Sequence, residues 1–495
     1  MNISRRTFLK TVSVAAAGSA GGCCSTLSTQ PSPVLVNDVH TQLNPTLVRS
    51  VTPVSSLPGL RRVIRQAASD GRSVSIAGGR HAAGGQQFAT DVELIDTREL
   101  HRVLHFDPTA GTIEVETGIQ WPEFIDFLKS IRDEKTKAWT VAQKQTGTDR
   151  LSVGGALSSN AHGRGLTLPP FISNVISFVL MDATVQCHTC SRHENPELFK
   201  TAIGGYGLFG FIYSVKLQLA PLRKVRRVVR LAQVAELPSA IPELVQKGFL
   251  YGDFQFAIDS KSDDFVNRGI LSAYEPVPDA TPMPPGQKKL SAEEWDMLIY
   301  LAHTDPTRAF DVYSNHYLAT SGQIYTSESQ YVSDYFDNYH QKLDARLGVP
   351  VPATEVLSEL YVPRDLLQQF MSDARADLRR SDAPPLIYGS VRFIEKDNEC
   401  FLAWAKQSYA CVIFNLHTPH TPEGKERTAN AFRRLIDLAI RYNGSFYLTY
   451  HRYATREQVL ACYPQFSEFL QRKLQYDPHE RFKSDWYRHY KKLFA

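Results

Sequence analysis

The chain has 495 residues, which is enough for two or three domains, and its 43% apolar and 21% charged residues are ordinary for a globular protein. Its 29 glycines and 28 prolines follow no period, which excludes collagen-like chains and chains dominated by linkers. The formal net charge is +4, and Arg5, Arg6 and Lys10 account for most of it. The rest of the chain is nearly neutral and lacks the charge expected of a nucleic-acid-binding protein.

The N-terminal segment predicts a removable export signal over residues 1–24. The pair Arg5-Arg6 precedes a mildly apolar run of about 12 residues, too short for the roughly 20 that span a bilayer. A twin arginine before such a run is typical of twin-arginine (Tat) signals, so we expect the Tat machinery as a partner and a periplasmic location. The alternative is a Sec signal with a basic start by chance. Cys23 is a candidate for the lipid anchor of a membrane-anchored lipoprotein, although the usual large aliphatic residue three positions earlier is absent.

Residues 25–45 are rich in Ser, Thr, Pro and Asn and predict a flexible linker. From Val54 onward, helical spacing alternates with short apolar runs that are typical of strands. The predicted helices are Leu57–Ser69 and Trp121–Ile131, and the predicted strands are Val74–Ala77, Val92–Asp96, Thr112–Glu116, Val175–Met181 and Phe211–Leu219. This alternation indicates an α/β or α+β fold with a mixed sheet.

A second region begins at residue 222 and differs in pattern. It combines a proline-rich stretch, an amphipathic helix and two strands, at Glu275–Gln287, Asp365–Leu378, Ile387–Ile394 and Ala410–Leu416. We interpret this region as a second domain in which a sheet carries helices. The remaining segment predicts one strand and two helices, the helices being separated by Pro464, at Ser445–Tyr450, Arg456–Ala461 and Gln465–Leu474.

Five cysteines follow the signal, and an odd number cannot pair completely within one chain. Cys187 and Cys190 form a CxxC motif, which fits a redox or metal pair. No second CxxC supplies the other two ligands of a structural zinc site. The position between a strand and a helix-like segment therefore favours a turn, with or without a disulfide.

Three glycine-rich segments occur in order at 77–87, 152–165 and 204–210. The first directly follows a predicted strand, and its glycines permit positive φ angles and let backbone N–H groups close on an anion. The small residues of the second allow the backbone to approach a pyrophosphate closely. The third contains GxGxxG, but a helix-like segment precedes it and a strand follows, which is wrong for a Rossmann motif. A single glycine cluster is usually a surface turn, whereas three on alternating elements favour a phosphate-binding site.

Together, the strand-GGRH loop, the segment VGGALSSNAHGRG and the segment GGYGLFGFI resemble flavoproteins of the vanillyl-alcohol oxidase and p-cresol methylhydroxylase (PCMH) type over Val54–Pro221. The tail, with Tyr463-Pro464 and a later FKSDW, is similar to the sugar-lactone and alditol oxidase branch. It is also similar to the decaprenylphosphoryl-ribose oxidase branch.

The resemblance implies an α+β fold with three parts. These are a two-lobed FAD-binding PCMH-type domain at 46–221, an α+β substrate (cap) domain at 222–440 and a segment at 441–495 that packs back on the FAD domain.

The resemblance also implies FAD as the cofactor and assigns its contacts by motif. Backbone donors and a cation in the first two glycine segments would hold the pyrophosphate, and the end of the second would face the isoalloxazine ring. The implied residues are Gly78, Gly79, Arg80, His81, Gly85, Gln86, Gly154, Gly155, Ser159, Asn160, His162 and Gly163, with Ile212 as an adenine-side backbone contact.

His81 is the implied covalent attachment point of the flavin. In covalent members of the family, the histidine after such a loop bonds the flavin 8α-methyl carbon, which raises the flavin potential and prevents its loss. The alternative is that His81 only hydrogen-bonds a phosphate or the loop backbone. Ala82 departs from the family motif, which usually has Ser after the histidine.

On the substrate side the resemblance implies roles for Arg392 and His417. Arg392 matches an arginine that lactone and alditol oxidases place at the substrate, and His417 matches a pocket histidine. A surface salt bridge is the alternative for Arg392. His417 with His420 would supply only two metal ligands, so we predict no metal site.

The sequence departs from the family pattern at one position. Both branches carry a catalytic lysine near the flavin, and here Tyr450 stands at that position. Tyrosine can donate a hydrogen bond but carries no permanent positive charge. If the predicted strand continues, Arg452 shares the face of Tyr450 about 7 Å further on, and His451 points the other way. We therefore predict that Arg452 or Arg392 supplies the charge and that His451 or His417 is the base.

The predicted function is that of an exported FAD-dependent oxidoreductase acting on a CH–OH group of a sugar alcohol, an aldonolactone or a related polyol. A hydride passes to flavin N5 as the hydroxyl proton leaves to a base, and O2 or a respiratory electron carrier then reoxidises the flavin. One alternative is a quinone- or cytochrome-linked dehydrogenase of the same family. Another is a non-catalytic envelope protein that keeps the fold. The missing lysine favours the last, whereas the glycine loops and His81 argue against it.

Overall fold

A computed structural model describes residues 32–133, 137–329 and 339–495. The predicted export signal and the lipid-anchor candidate Cys23 lie outside the described residues. Pro33–Ala495 form one compact unit.

Part of the predicted linker is ordered structure. Strand β1 (Val34–Val36) pairs antiparallel with β2 (Thr46–Val48). Between them the buried Asp38 accepts the backbone N–H of Thr41 at 2.6 Å, and the buried Asn44 donates to Ala83 O at 2.8 Å. The linker prediction is therefore wrong for residues 34–45, because these short polar side chains fix a loop rather than keep it solvated.

The first half of the chain forms two main sheets. A parallel sheet has the order β3-β5-β4, with β3 at Ser50–Pro53, β4 at Val74–Ala77 and β5 at Glu93–Asp96. An antiparallel sheet has the order β10-β9-β11-β7-β6, with β6 at Val103–Asp107, β7 at Thr112–Glu116, β9 at Val175–Met181, β10 at Cys187–Ser191 and β11 at Phe211–Gln218. A short pair joins β8 (Trp139–Thr140) to β12 (Ala220–Pro221). The helices of this half are α1 at Leu57–Ser69, α2 at Trp121–Ser130, α3 at Val153–Ser159 and α4 at Pro196–Ala202.

Helix α1 shows why the local predictions succeed. Its cap residue Ser56 accepts the backbone N–H of Gly59 through Oγ, and a proline occupies the first turn. The apolar residues Leu60, Ile64 and Ala67 recur at helical spacing and are the buried ones. The predicted and observed bounds of this helix are identical.

The second half builds an eight-stranded, fully antiparallel sheet with the order β16-β13-β15-β14-β18-β19-β17-β20. Its strands are β13 at Lys224–Gln233, β14 at Tyr251–Phe256, β15 at Arg268–Val277, β16 at Ile324–Thr326, β17 at Ala353–Pro363, β18 at Leu386–Ile394, β19 at Tyr409–Pro419 and β20 at Ser445–Phe446. The last strand belongs to the predicted C-terminal segment, so the sheet spans residues 224–446.

The helices of the second half are α5 at Leu237–Gln246, α6 at Ala292–Thr304, α7 at Pro306–Ala319, α8 at Tyr339–Leu347, α9 at Leu367–Leu378 and α10 at Pro422–Arg441. The tail adds α11 at Arg456–Cys462, α12 at Phe466–Tyr476 and α13 at Asp485–Leu493. Short 3-10 helices occupy Phe171–Asn174, Val234–Glu236 and Arg364–Leu366. No helix in the described ranges combines the length and the apolar composition needed to cross a membrane.

The tail returns to the first half of the chain. Val74 donates its N–H to Arg481 O at 2.6 Å and accepts from Lys483 N at 2.9 Å, so the tail runs beside β4. The buried ring of Trp486 packs on Tyr206 of the third glycine segment with ring centroids 4.7 Å apart. These contacts confirm the predicted α+β fold with a returning C-terminal segment.

Two local predictions are wrong. The strand predicted over Ser445–Tyr450 ends at Phe446, because β20 pairs with β17 for only two residues before the chain turns. The CxxC motif is not a turn: Cys187 and Cys190 lie on strand β10, three positions apart, and both are free thiols. Residues three apart on a strand point to opposite faces, so these two cannot bond.

Candidate active site

A cavity of ≈ 730 Å³ lies between the glycine-rich segments and the eight-stranded sheet. This volume is within the range of about 300–1,000 Å³ that is typical of ligand pockets. Residues of all three glycine segments line one side, and residues of α6, α7, β14, β17, β18 and β19 line the other. The cavity therefore joins the two halves of the molecule.

Most of the predicted cofactor residues line this cavity: Gly78, Gly79, Arg80, His81, Gln86, Gly154, Gly155, Ser159, His162 and Ile212. Gly85, Asn160 and Gly163 are not among the lining residues. Asn160 is turned into the protein, where its Nδ2 donates to Asp397 Oδ2 at 2.8 Å and its Oδ1 accepts from Ile172 N at 2.9 Å. The side chain of Asn160 is therefore a support for the loop, and the ligand-facing surface is made by its neighbours.

The first glycine loop fits tightly behind the cavity wall. A Cβ atom at Gly78 would lie 2.2 Å from Ser152 Oγ, and one at Gly79 would lie 2.2 Å from Arg150 O, so neither position accepts a side chain. The next residue, Arg80, has φ = 61° and directs its guanidinium toward Asp96, with Nη2 3.6 Å from Oδ2. The backbone of this loop can approach a ligand closely because only glycine fits here.

The second glycine segment begins helix α3 at the cavity. Ser152 caps the helix, its Oγ accepting the N–H of Gly155 at 3.2 Å. Gly154 donates its N–H to Thr117 O at 2.8 Å, and a Cβ on Gly154 would be only 3.0 Å from that oxygen. Ser159 at the other end bonds Gly155 O through Oγ at 3.0 Å.

Several polar atoms of cavity-lining residues are buried without a hydrogen-bond partner within the described residues. They are Ser75 Oγ, Arg80 Nε, Gln87 Oε1, Gln145 Oε1, Thr146 Oγ1, Arg164 Nε, Gln255 Oε1, His340 Nδ1 and Arg392 Nε. Buried polar atoms nearly always have partners in a native protein, so this set indicates a polar ligand. Donors and acceptors distributed along a glycine-lined cavity fit the phosphates, ribityl chain and ring edge of FAD.

His81 lines the cavity beside a second histidine. Its Nδ1 lies 3.2 Å from His40 Nε2 and 3.4 Å from Thr148 Oγ1. Burial, followed by the neighbouring His40, lowers the pKa of His81 to about 3. The imidazole is therefore neutral near pH 7 and keeps a lone pair for bonding.

A buried carboxylate, Glu359 on β17, organises the cavity wall opposite the glycine segments. Its Oε1 is 2.6 Å from His162 Nε2 and accepts from Tyr361 OH at 2.6 Å and from Cys411 Sγ at 3.3 Å. Its Oε2 accepts from Tyr450 OH at 2.9 Å. Burial alone would raise the pKa of Glu359, but the charge and hydrogen bond of His162 lower it to about 2.

His162 lies between two hydrogen-bond acceptors. Its Nδ1 lies 3.1 Å from the backbone oxygen of Gly163, and its Nε2 faces the Glu359 carboxylate. His162 lines the cavity, so its imidazole faces the ligand from the position that the sequence assigned to the isoalloxazine side.

Tyr450 and Arg392 lie at the Glu359 end of the cavity. Burial and the adjacent carboxylate raise the pKa of Tyr450 well above its usual value, so the phenol stays neutral and directs its proton to Glu359. Arg392 is 9% exposed, and its Nε has no partner in the described part of the chain. It is not a surface salt bridge, so that alternative is wrong.

A second buried carboxylate, Glu355, lies four residues earlier on the same face of β17. Its Oε1 faces His303 Nε2 at 3.2 Å and His417 Nδ1 at 3.4 Å, and its Oε2 faces His340 Nδ1 at 3.2 Å. Tyr339 OH also donates to Oε2. Burial alone would raise the pKa of Glu355, but hydrogen bonds from His303 and His417 and the charge of His340 hold it well below its usual range.

His451 and Arg452 are not among the residues that line the cavity. Because β20 ends at Phe446, the premise that Arg452 shares a strand face with Tyr450 is wrong. Arg452 Nη1 instead donates to Asp485 O of the tail at 2.7 Å. The buried His451 ring stacks on Tyr453 with centroids 5.2 Å apart. His417 reaches the cavity only through Glu355, which does line it.

Sequence reasoning missed Glu355 and Glu359. Their signal is present in the run TEVLSELYV, where two carboxylates four residues apart interrupt an otherwise apolar strand. Such spacing puts both on one face of a strand, and a buried carboxylate requires partners. The partners His162 and His303 come from distant segments, so the sequence did not pair them with these carboxylates.

Comparison with known proteins also points to FAD. A family described as "FAD binding domain" matches residues 51–191. The L-gulono-1,4-lactone dehydrogenase of Mycobacterium tuberculosis is 23% identical over 432 residues, which cover 87% of this chain and 92% of the relative.

Two further relatives match a smaller part of the chain. The L-gulonolactone oxidase of Mus musculus is 26% identical over 167 residues, 34% of this chain and 36% of the relative. Cytokinin dehydrogenase 8 of Oryza sativa subsp. japonica is 33% identical over 170 residues, 32% of this chain and 30% of the relative.

Proposed function

Because the chain belongs to the PCMH-type FAD flavoproteins and is an FAD-dependent oxidoreductase of the aldonolactone oxidase and dehydrogenase type, we propose that it oxidises a CH–OH group of an aldonolactone or a related polyol. The observation that carries this proposal is the Glu359 end of the cavity. There His162, Tyr450 and Arg392, whose Nε has no partner among the described residues, face the space beside the glycine segments.

The residues that line the cavity would hold FAD, which would supply a hydride acceptor whose electrons pass on to O2 or to another carrier. The glycine segments would hold its phosphates through backbone donors. His162 stabilises negative charge beside the ring, a role that the sequence had assigned to Arg452 or Arg392 in place of the missing lysine. Arg392 binds a substrate oxygen through its guanidinium, because its Nε lacks a partner in the described part of the protein.

Tyr450 orients the reacting hydroxyl. Its own proton is directed to Glu359, so its oxygen is free to accept a hydrogen bond from the substrate hydroxyl. As the hydride leaves the carbon, the hydroxyl proton moves to Tyr450 and the phenol proton moves to Glu359. The low pKa of Glu359 makes it a weak base, so we expect the proton and the hydride to move together.

The test is anaerobic mixing of the flavin-loaded protein with L-gulono-1,4-lactone, L-galactono-1,4-lactone and a series of alditols. We expect one of these compounds to bleach the flavin absorbance, and bleaching to slow strongly in Arg392→Leu. If dithionite bleaches the flavin but no lactone or alditol does, the proposed substrate class is wrong. After bleaching by a substrate, recovery of the colour in air identifies an oxidase. Recovery only with a quinone or a cytochrome identifies a dehydrogenase.

We further propose that His81 carries the flavin covalently, supported by its place in the cavity and its neutral imidazole. After acid precipitation, the wild-type pellet should stay yellow and the His81→Ala pellet should be white. The exposed His193→Ala serves as the matched control and should give a yellow pellet. A white wild-type pellet with yellow supernatant would show that the flavin is dissociable.

Export by the Tat machinery is a proposal that rests on Arg5-Arg6 before a short apolar run. Replacing both arginines by lysine should retain the precursor in the cytoplasm, as measured by fractionation. Export that persists in this variant and stops on Sec inhibition would favour the Sec alternative. A Cys23→Ala variant that leaves the membrane fraction would identify a lipid anchor.

A further inference from the structure

The side chains of His303, His340, Glu355 and His417 form what we call the Glu355 cluster. They come from α6, α8, β17 and β19, and His303, His340 and Glu355 line the cavity. The cluster lies roughly 13 Å along β17 from Glu359, since each residue advances a strand by about 3.3 Å. The proposed oxidation uses none of its members.

The spacing of three of these atoms matches a tetrahedral metal site. Glu355 Oε1 is 3.2 Å from His303 Nε2 and 3.4 Å from His417 Nδ1. The three ligand atoms of this triad lie within 4.8 Å of one another. Zinc bound at about 2.0–2.1 Å to N and O ligands in a tetrahedron separates those ligands by about 3.3–3.4 Å.

The orientation of His303 is that of a metal ligand. Its Nδ1 lies 2.8 Å from Ile299 O one helical turn earlier, so this nitrogen donates its proton to the backbone. In the neutral ring, Nε2 then carries a lone pair that points at the carboxylate. The lone pair of Nε2 and the carboxylate oxygen are both acceptors, so a positive species must lie between them. Metal-ligating histidines commonly donate their other ring N–H to a backbone carbonyl, as Nδ1 does here.

A proton is the other positive species that can fill this position, and with it His303 Nε2 donates a hydrogen bond to Glu355. The surroundings of Glu355 and Glu359 differ. Glu359 receives fixed hydroxyl and thiol donors from Tyr361, Tyr450 and Cys411. Glu355 faces three imidazole nitrogens, which are the commonest metal ligands in proteins and would repel one another if all carried protons.

We propose that His303, Glu355 and His417 bind one divalent transition-metal ion of the zinc class at this end of the cavity. Three protein ligands leave one coordination position, which takes a water or an oxygen of a ligand in the cavity. His340 faces the other oxygen of Glu355 at 3.2 Å and helps to orient the carboxylate. This inference is independent of the proposed oxidation.

The experiment uses the flavin-loaded full chain prepared without a histidine tag. The protein is stripped with a chelator, equilibrated with zinc sulfate and passed through a desalting column, and zinc is measured by mass spectrometry. We expect about one zinc per chain in the wild type. In His303→Ala and in His417→Gln the zinc affinity should fall by more than about tenfold, since even the loss of an outer partner has effects of 10- to 100-fold.

His188→Ala is the matched control, because His188 also faces a carboxylate, Asp182, at 2.7 Å but without other ligands. It should retain zinc like the wild type. Flavin content and the thermal unfolding of the metal-free proteins show that each variant is folded, and His417, being partly exposed, provides a mild second variant. Cobalt in place of zinc should show ligand-field absorption of a tetrahedral site at wavelengths beyond the flavin bands.

Several outcomes would overturn the proposal. One is a wild type that retains no zinc, and another is equal retention in the wild type and both ligand variants. Loss of zinc only in His162→Gln would place the metal at His162 and Glu359 instead. None of these readouts depends on turnover, so failure here leaves the proposed oxidation unaffected.

Discussion

Glu359 and Glu355 are buried carboxylates on the same face of one strand, and both have pKa values below the usual range. Their surroundings differ in kind. The oxygens of Glu359 accept from two tyrosines and a thiol in addition to His162, whereas those of Glu355 face three imidazoles and one tyrosine. Burial therefore does not decide what a carboxylate does, because the donors around it set its chemistry.

The difference separates a fixed site from a responsive one. Hydroxyl groups with raised pKa values stay neutral near pH 7, so the tyrosines around Glu359 remain hydrogen-bond donors. Imidazoles exchange protons and metals in that range, so the Glu355 end responds to its surroundings. The following predictions test this division.

The largest expected effect is at Arg392. Arg392→Leu should lower kcat/KM for the reactive lactone or polyol by about 100- to 1,000-fold, as for removal of a buried charged donor at a reacting oxygen. Arg392→Lys keeps the charge without the planar fork and should recover part of the loss. Zinc retention should not change in either variant. A parallel loss of zinc and turnover would show that the two ends act as one site.

A pair of isosteric variants should separate the two carboxylates by stability. Glu359→Gln breaks a buried ion pair and should lower the free energy of unfolding by about 3 kcal/mol, with or without zinc. Glu355→Gln should instead remove the stabilisation by zinc, about 2.7 kcal/mol when zinc is at 100 times its dissociation constant. Denaturant unfolding in chelator and in zinc measures both. If zinc changed the free energy of unfolding equally in the two variants, the proposed difference between the two carboxylates would be wrong.

Tyr450→Phe removes only the hydroxyl that links the substrate to Glu359. We expect kcat to fall by about tenfold, because a hydrogen bond to a charged group contributes roughly 1.5 kcal/mol or more. Tyr453→Phe, outside the cavity lining, is the control for loss of a buried phenol. Unchanged turnover in Tyr450→Phe would remove this residue from the mechanism.

The smallest expected effect concerns His451, a buried ring that does not line the cavity. Burial is the main cause that lowers its pKa to about 4, so the unfolded chain binds a proton near pH 6.5 while the folded protein does not. Stability is therefore lost as pH falls from about 6.5 toward 4, by about 1 kcal/mol between pH 7 and 5.5. His451→Phe should flatten this acid limb in denaturant unfolding, and His193→Phe should not. An unchanged slope in His451→Phe would contradict the assignment.

Local patterns predicted many elements well, and the exceptions have physical causes. Helix α1 and strand β9 have the predicted bounds, because helical spacing and apolar runs report which residues are buried. The strand after Ser445 was predicted too long, since its end depends on how far the neighbouring β17 offers a partner. The ordered loop of Asp38 was missed because it is tied to a distant segment, where Asn44 donates to Ala83 O.

The candidate site was predicted unevenly for the same reason. Residues on the glycine segments were identified because a phosphate-binding backbone leaves a local composition. The wall contributed by the sheet was identified only at Arg392 and Tyr450, through a family resemblance. Glu355 and Glu359 were absent from the predicted site, although their spacing on an apolar strand would have indicated buried carboxylates.

The sequence by itself determined the alternating elements and the glycine loops, because each of these follows from residues adjacent in the chain, and the resemblance of those loops to a known family implied FAD as the cofactor. Only the tertiary structure decided which side chains meet across the cavity. His162 and Glu359 are 197 positions apart, and His303 and Glu355 are 52 apart. Such pairs depend on the register and packing of distant strands and helices, and no local pattern contains that information.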